Sequence, residues 1–308
     1  MAALLSGCEN KHSRLNDIPA PKTTDQATPE RPDPSMQPTA ALGQGTLEER
    51  VAALEARLNK SKEALDFLDM AYQQQKQQAE QKERAEPAPD AIFAVNIDDN
   101  LKMGLVKGPL DAPVTIVDAF DFACPYCRKV STTLEELVKE YNGKVRVVMM
   151  DMVVHPPQAM PGHLASCAAA KQGKYAKFEN AFWEKAFDPY AAARDPSKLG
   201  EDNIYAIAGE IGLDVEKLKV DMKGEECKKH IAEDMAELAK FNVNSTPTLY
   251  INGTVIGGAL PKEAFKEIID AKLKQVEASG VKPGEYYDKE IMAKGEKKFR
   301  SKLDPKPH

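Results

Sequence analysis

Residues 113–127 read PVTIVDAFDFACPYC, a stretch that joins a strand pattern to a pair of cysteines. Its first half is rich in β-branched residues, which predicts a buried strand. Cys124 and Cys127 follow, and the residues after them carry apolar side chains at helical spacing as far as Asn142-Gly143, a usual helix stop. Residues 144–150 form a second predicted strand. The order strand, CxxC, helix, strand is the setting in which a CxxC pair indicates redox chemistry.

The position of this pair at a helix start has a chemical consequence. A thiolate, not a thiol, is the nucleophile, and backbone N–H groups at a helix N-terminus stabilise its charge. With this help and the nearby cations Arg128 and Lys129, a pKa of ~8.5 can fall to roughly 3.5–7.5. We therefore expect Cys124 to attack and the more shielded Cys127 to resolve the mixed disulfide. The alternative is a CxxC without chemistry.

A second pattern lies downstream, where residues 245–258 predict a strand, an Asn252-Gly253 hairpin turn and another strand. Pro247 opens the first of these strands. Because proline cannot donate to a strand ladder, it is expected at the strand's start, and a cis bond would leave the Thr246 backbone available to pair with an incoming peptide. An amphipathic helix is predicted to start at Pro261.

Together these motifs resemble the DsbA-like branch of the thioredoxin superfamily. The resemblance implies an α/β thioredoxin fold with a helical insertion, over residues 91–276 with the insertion at about 157–242. It also implies that Asp118, six residues before Cys124, is a buried acid that relays protons to the resolving cysteine. The implied catalytic residues are Cys124, Cys127 and Asp118, and the implied substrate-binding residues are Pro125, Tyr126, Thr246 and Pro247.

The chain has five cysteines, of which Cys167 and Cys227 fall in the expected insertion. Some relatives carry a structural disulfide in this region, so these two residues are a candidate bridge, closing a loop of about sixty residues. Two buried free thiols are the alternative. Since there is no second CxxC and no HxxxH, the sequence does not predict a zinc site, and no metal or cofactor is expected.

The N-terminal region differs in composition from the rest. Residues 5–8, Leu-Ser-Gly-Cys, resemble the lipobox of bacterial lipoproteins, in which the cysteine is acylated. Few residues precede Cys8, so we expect the true translation start to lie upstream of Met1; the alternative is an ordinary N-terminal cysteine in a cytosolic protein. Residues 1–45 are expected to be an anchor followed by a disordered, proline-rich linker.

Residues 46–86 predict a coiled-coil helix. Thr46 and Glu49 form a capping-box pattern at its start. Apolar residues then recur at alternating spacings of four and three, interrupted once by a serine, at Leu47, Val51, Leu54, Leu58, Ser61, Leu65, Leu68 and Tyr72. This narrow stripe favours a homo-oligomer formed through residues 47–82. The alternatives are a helix lying along its own domain or standing alone in solvent.

The overall charge and the C-terminal segment complete the sequence-based picture. A net charge of -6 gives no reason to expect nucleic acid as a partner, and no apolar run is long enough for a membrane helix. Residues 277–308 are expected to be a charged, solvated tail.

The expected function is a lipid-anchored thiol:disulfide oxidoreductase of the periplasm or cell envelope. It would act as an oxidase or isomerase on cysteine-containing exported proteins, and a membrane redox partner is possible. Two alternatives stay open. One is a tethered peptide-binding scaffold protein, and the other is a cytosolic glutaredoxin-like reductase.

Overall fold

The structure is a computed structural model that describes residues 45–306. Cys8 and nearly all of the expected linker therefore lie outside the described residues. The chain divides into two units at Tyr72 and Gln73, and each is described by itself. Among the described residues, no helix combines the length and apolar character needed to cross a membrane.

The first helix, α1, runs over Leu47–Ala85. Its start is the capping box that the sequence predicts: the Thr46 N–H donates to Glu49 Oε2 (2.9 Å) and the Glu49 N–H donates to Thr46 Oγ1 (3.3 Å). These two bonds satisfy backbone donors that have no partner within the helix. None of its side chains is buried, including those of the apolar stripe. A coiled coil through this helix stays a prediction.

The second unit is built on a five-stranded mixed sheet with the order β1-β3-β2-β4-β5. Strands β2 and β3 are parallel, and the other neighbours are antiparallel. Every residue of β2 and β3 is buried, because both faces of the sheet are covered, and most of these residues are apolar. The strands are β1 Val106–Lys107, β2 Val114–Phe120, β3 Val145–Asp151, β4 Thr248–Ile251 and β5 Thr254–Gly257.

Helices cover both faces and form the insertion that the DsbA-like resemblance implies. Helix α3 connects β2 to β3, and α4 to α9 lie between β3 and β4. Short π-helical turns follow α5 (Trp183–Phe187) and precede the C-terminus (Tyr287–Met292). The helices are α2 Asp98–Met103, α3 Pro125–Glu140, α4 Pro156–Ala170, α5 Tyr175–Phe182, α6 Asp188–Ala193, α7 Glu201–Glu210, α8 Val215–Lys223, α9 Glu225–Ala239 and α10 Lys262–Ser279.

A disulfide joins Cys167 in α4 to Cys227 in α9, with an S–S distance of 2.03 Å. Of the two alternatives that the sequence leaves open for these cysteines, the structure contains the bridge. Both cysteines are fully buried, and the closed loop spans 60 residues. The bridge ties the first helix of the insertion to the last.

The C-terminal segment corrects one expectation. The described part of this segment, residues 277–306, is not a solvated tail, because Tyr287 and Ile291 are buried in the core on one face of the sheet. The Tyr287 hydroxyl donates to the Val95 carbonyl (2.8 Å), and Phe299 stacks on Phe93. The abundant Lys and Glu of this segment remain at the surface while its few large apolar residues pack inward. The domain therefore extends past the expected limits of 91 and 276 at both ends, with Pro87 paired to Ser301.

Candidate active site

Cys124 lies at the N-terminal end of α3, where it is the N-cap residue and Pro125 occupies the first turn. Proline fits there because its missing N–H has no helical partner to lose. Cys124 and Cys127 are both free thiols and both buried, while Pro125 and Tyr126 between them are exposed. The structure therefore presents the two residues inside the motif to solvent and shields both sulfurs.

The two cysteines differ in acidity. The pKa of Cys124 falls from 9.0 to about 5, chiefly because the Cys127 thiol donates a hydrogen bond to the Cys124 sulfur. Burial acts in the opposite direction. Hydrogen bonds from Thr246 and from the backbone N–H groups of Tyr126 and Cys127 lower the pKa further. The pKa of Cys127 is raised well above its usual value, first by burial and then by its hydrogen bond to Cys124 and the charge of Asp118. At neutral pH the pair therefore holds one thiolate, at Cys124, and one thiol, at Cys127.

The cations expected to assist Cys124 do not account for this shift. Arg128 is engaged by Asp188, with its Nη2 2.7 Å and its Nε 2.9 Å from the two carboxylate oxygens. The resolved causes of the Cys124 shift are the neighbouring thiol, Thr246 and backbone amides. The helix start thus acts through specific hydrogen bonds, and the expected contribution of Arg128 and Lys129 is not supported.

Asp118 is a buried acid in the middle of β2, as the resemblance implies. Burial is the main cause that raises its pKa from 3.8 to about 7, and the charge of Lys107 acts in the opposite direction. Its Oδ1 has no hydrogen-bond partner among the described residues. A carboxyl group with these properties can take up and release a proton near neutral pH.

Lys107 and Glu179 form a buried ion pair near this acid. The Glu179 carboxylate also accepts hydrogen bonds from Ser131 Oγ (2.7 Å) and Trp183 Nε1 (2.8 Å). The pair joins β1 to the helical insertion, because Glu179 and Trp183 belong to the insertion. Nothing in the spacing of Lys107 and Glu179 in the sequence connects them, so the sequence does not predict this pair.

The Thr246-Pro247 peptide bond is cis and lies against the nucleophile. The Cys124 Sγ is 3.4 Å from the Thr246 carbonyl oxygen, to which it donates a hydrogen bond only when Cys124 is protonated. The structure therefore brings together Cys124, Cys127, Thr246 and Pro247, which are far apart in the sequence. Asn252-Gly253 forms the predicted two-residue turn between β4 and β5, with positive φ angles of 42° and 79°.

Asp121 is a site residue that the sequence analysis did not identify. It is fully buried, and its carboxylate accepts hydrogen bonds from the backbone N–H groups of Ala123 (2.7 Å), Val154 (2.7 Å) and His155 (3.0 Å). Its own N–H donates to Cys127 Sγ (3.4 Å). Asp121 thus fixes the loop before Cys124 to the loop after β3. An aspartate three residues before the cysteine was the only available signal.

Comparison with known proteins places this fold and motif in a family. The family model described as thioredoxin matches residues 99–271, which is more than half of the chain. The chain belongs to the thioredoxin family. The match contains Asp118, both cysteines of the CxxC motif and the Thr246-Pro247 pair.

Two curated relatives each match a little over half of the chain. The Na(+)/H(+) antiporter NhaA 3 of Salinispora tropica is 33% identical over 167 residues, covering 53% of this chain and 24% of the antiporter. The chain thus spans about a quarter of the length of the first antiporter relatives it matches. The probable disulfide bond formation protein D of Bacillus cereus is 29% identical over 175 residues, covering 54% of this chain and 78% of that protein.

Among solved structures, oxidised BdbD from Bacillus subtilis is similar to this chain with a TM-score of 0.51. The two share 23% sequence identity, and the match covers 61% of this chain and 99% of BdbD. This similarity shows a shared fold, a thioredoxin-like sheet with a helical insertion.

Proposed function

We propose that this chain is a thiol:disulfide oxidoreductase that works through Cys124 and Cys127. The observation that carries the proposal is the opposite acidity of the two thiols at the N-terminus of α3: the pKa of Cys124 is about 5, whereas that of Cys127 is raised. Such a pair keeps a thiolate available for exchange next to a protonated resolving thiol. The name of the Bacillus cereus relative, a probable disulfide bond formation protein, supports the same chemistry.

The proposed reaction starts from the Cys124–Cys127 disulfide. A client thiolate attacks Cys124 Sγ, which forms a client–Cys124 disulfide and releases Cys127 as a thiolate. Asp118 in its protonated form can supply the proton to Cys127, since burial raises the pKa of Asp118 to about 7. A second client thiolate then attacks the client sulfur and displaces Cys124. Counted from its two thiols, the client loses two electrons and two protons. The enzyme pair gains both electrons and one proton, which ends on Cys127, and the other proton goes to solvent because Cys124 remains a thiolate.

The oxidising direction is supported by the acidity of Cys124. A low pKa of the Cys124 thiol means that the thiolate of the reduced enzyme is stabilised. A stable reduced form makes the disulfide a stronger oxidant. Residues Pro125 and Tyr126 are exposed beside the nucleophile, and the Thr246 carbonyl lies 3.4 Å from Cys124 Sγ. We propose that client peptides with cysteine residues bind across this surface, formed by Pro125, Tyr126, Thr246 and Pro247.

A trapping experiment tests the proposal. In Cys127→Ala the pair cannot form its own disulfide, but the Cys124 thiolate can still attack a client disulfide, the reverse of the oxidation. No Cys127 thiol is then present to displace the client, so mixed disulfides should accumulate on non-reducing gels and disappear on reduction. The matched control, Cys124→Ala, should form none, because its remaining thiol is buried and has a raised pKa. If Cys127→Ala forms no adducts in its native compartment, the oxidoreductase proposal fails and a peptide-binding role becomes the better explanation.

We also propose that the protein acts on exported proteins in the periplasm or cell envelope, held by a lipid at Cys8. The support is the lipobox-like Leu5-Ser6-Gly7-Cys8 sequence together with an oxidising CxxC, since disulfides form and persist outside the cytosol. Metabolic labelling with a fatty-acid analogue tests this: wild type should be labelled and Cys8→Ser should not. Reoxidation would then require a membrane redox partner as electron acceptor.

Self-association through α1 completes the proposal. Its stripe of leucines is exposed in the single chain, and apolar residues at a 3.5-residue period favour a coiled coil. Two or more active sites held together could bind one misfolded client at several points. This arrangement would add disulfide isomerisation to oxidation.

A further inference from the structure

Three buried ionisable residues form a cluster that the proposed chemistry does not use. Asp151 is the last residue of β3, and His230 and Asp234 lie one turn apart on α9. Their exposed fractions are only 3%, 4% and 4%. One ligand atom from each lies within 4.8 Å of the others. Histidine and aspartate are both common ligands of transition-metal ions.

The hydrogen bonds around the cluster leave two buried atoms without partners. Asp151 Oδ1 pairs with His163 Nδ1 at 2.5 Å, but Asp151 Oδ2 has no partner. His230 Nε2 also has none, although it lies 3.6 Å from Asp234 Oδ2. Asn100 donates to both oxygens of Asp234 (3.0 Å each) and so orients this carboxylate. A buried polar atom without a hydrogen-bond partner is unfavourable in free energy. Two such atoms in one cluster therefore indicate a binding site for a ligand.

The charge balance points to a cation. Two carboxyl groups lie buried together, and burying like charges is unfavourable. Among the described residues their ionisable partners are histidines, His163 beside Asp151 and His230 beside Asp234. The lysines nearby are already paired: Lys240 with Glu237, Lys102 with Asp99, and Lys229 with Glu233. Within residues 45–306, none of these lysines forms an ion pair with Asp151 or Asp234. A divalent ion between Asp151 Oδ2, Asp234 Oδ2 and His230 Nε2 would satisfy the orphaned atoms and neutralise the carboxylates.

We infer that Asp151, His230 and Asp234 bind a first-row divalent metal ion, with Zn²⁺ the best match to one imidazole and two carboxylates. A tetrahedral ion with ligand bonds of about 2.1 Å places its ligand atoms about 3.4 Å apart, close to the 3.6 Å between Asp234 and His230. Ca²⁺ and Mg²⁺ prefer all-oxygen sites.

The surroundings provide access for the ion. A pocket of about 300 Å³ reaches His230 and Asp234, and its other lining residues include Asn96 and Glu233. It offers a route for the ion and room for a water molecule as the fourth ligand. This site is separate from the cysteine pair in its ligands, and Cys124 and Cys127 do not line the pocket.

The ion would have a structural effect that reaches the active-site loop. It would join the end of β3 to α9, beside the bridge at Cys227, which lies three residues before His230. Asp151 also holds His163, whose Nε2 accepts the Phe122 N–H (3.4 Å) just before the cysteine motif. Binding at Asp151 Oδ2 would therefore leave the Asp151–His163–Phe122 chain intact.

The test uses the full chain with Cys124 and Cys127 oxidised and the remaining thiols alkylated, so that no thiolate can bind metal. After chelator treatment, equilibrium dialysis against Zn²⁺ should give one equivalent per chain, with Ca²⁺ not competing. His230→Ala and Asp234→Asn should each weaken Zn²⁺ binding at least tenfold. His155→Ala, which removes a half-exposed histidine outside the cluster, should keep the full stoichiometry and affinity.

Further measurements cover the case in which a variant does not fold. Zn²⁺ should raise the thermal midpoint of the wild-type protein, because an ion that binds the folded form stabilises it. X-ray absorption should show one imidazole and oxygen ligands. The inference is overturned by the absence of stoichiometric binding, by undiminished affinity in folded His230→Ala and Asp234→Asn, by an unchanged wild-type midpoint, or by sulfur ligation. None of these readouts depends on disulfide exchange.

Discussion

Cys124 and Cys127 differ by three positions in the chain, yet the structure gives them opposite acidity. The Cys127 thiol lowers the pKa of Cys124 by hydrogen-bonding to it, and that same bond raises the pKa of Cys127. Each thiol therefore sets the reactivity of the other. The effect of a mutation at one cysteine therefore has to be measured as a change in the pKa of the other.

We predict that Cys127→Ala raises the pKa of Cys124 from about 5 towards 9.0, because the mutation removes the largest stabilising contribution to its thiolate. The fraction of Cys124 present as thiolate at pH 6 should then fall. Thiolate absorbance or the alkylation rate followed against pH measures this. Cys127→Ser keeps a hydroxyl donor and should give a smaller rise. An unchanged titration midpoint of Cys124 in Cys127→Ala would show that Thr246 and the backbone amides, and not the Cys127 thiol, lower the pKa of Cys124.

A second prediction concerns Asp118, whose pKa is raised from 3.8 to about 7 in the folded protein. Because the folded pKa lies above the unfolded one, the carboxyl favours folding below about pH 4, and that contribution is lost as the pH rises through 7. Asp118→Asn should therefore stabilise the oxidised protein at pH 8 by at most about 4 kcal/mol, and by little at pH 4. Urea unfolding at the two pH values measures the difference.

In the reverse direction, Cys124 attacks a client disulfide and Cys127 must lose its proton before it can displace the client. The same substitution should slow this proton transfer from Cys127 while leaving the attack of Cys124 intact. Rapid-mixing kinetics should show slower resolution of the mixed disulfide and an unchanged rate of its formation. Equal stabilisation at both pH values, or equal effects on both steps, would contradict a titrating Asp118.

The sequence predicts residues that the structure brings together around Cys124, because each stands in a local pattern. Cys124 follows a strand and precedes a helix, and Pro247 opens a strand, so short stretches were sufficient. Asp121 and the pair Lys107 and Glu179 were missed because their partners are backbone groups or residues of distant elements. Polar contacts of this kind arise only when the fold brings these elements together.

Helices α4 and α9 are joined by the bridge between Cys167 and Cys227. We predict that replacing both cysteines with alanine lowers the free energy of unfolding by about 4 kcal/mol, the loop-closure entropy for the 60 residues enclosed. Urea unfolding of wild type and the double variant, both with oxidised Cys124–Cys127, measures it. Disulfide exchange by the folded double variant should persist. A loss below about 1 kcal/mol would mean that contacts in the unfolded chain already restrict this loop.

The strands and the C-terminal segment show where element prediction succeeds and fails. Strands β2 and β3 are buried on both faces, so apolar and β-branched residues predominate in them and the strands are easy to find in the sequence. Residues 277–308 carry so many Lys and Glu that the chain looks solvated, yet Tyr287 and Ile291 are enough to hold it against the sheet. The average composition of the segment does not reveal that these two residues are buried, because packing depends on where the apolar residues lie in the sequence.

The last prediction is that several copies of the chain associate through α1. The full chain should have a solution mass of two or more copies in light scattering. The substitutions Leu54→Asn and Leu65→Asn together should reduce this to one copy, because they place amides in the apolar stripe. The matched control changes Phe67 and Met70 to asparagine; these residues are also exposed but lie outside the stripe. Dissociation by the control pair, or a monomeric wild type, would contradict the coiled coil.

The pairing of Pro87 with Ser301 has a practical consequence for engineering. The Lys302 ammonium also binds the Glu86 carboxylate at 2.6 Å, so the beginning and end of the domain lie side by side. Adjacent termini are the condition for circular permutation. A short peptide joining residue 302 to residue 86, with new ends opened at the exposed Arg194 turn, should yield a permuted enzyme whose cysteine pair is unchanged. Such a permutant could carry a reporter within the helical insertion, on the same domain as the reactive thiols.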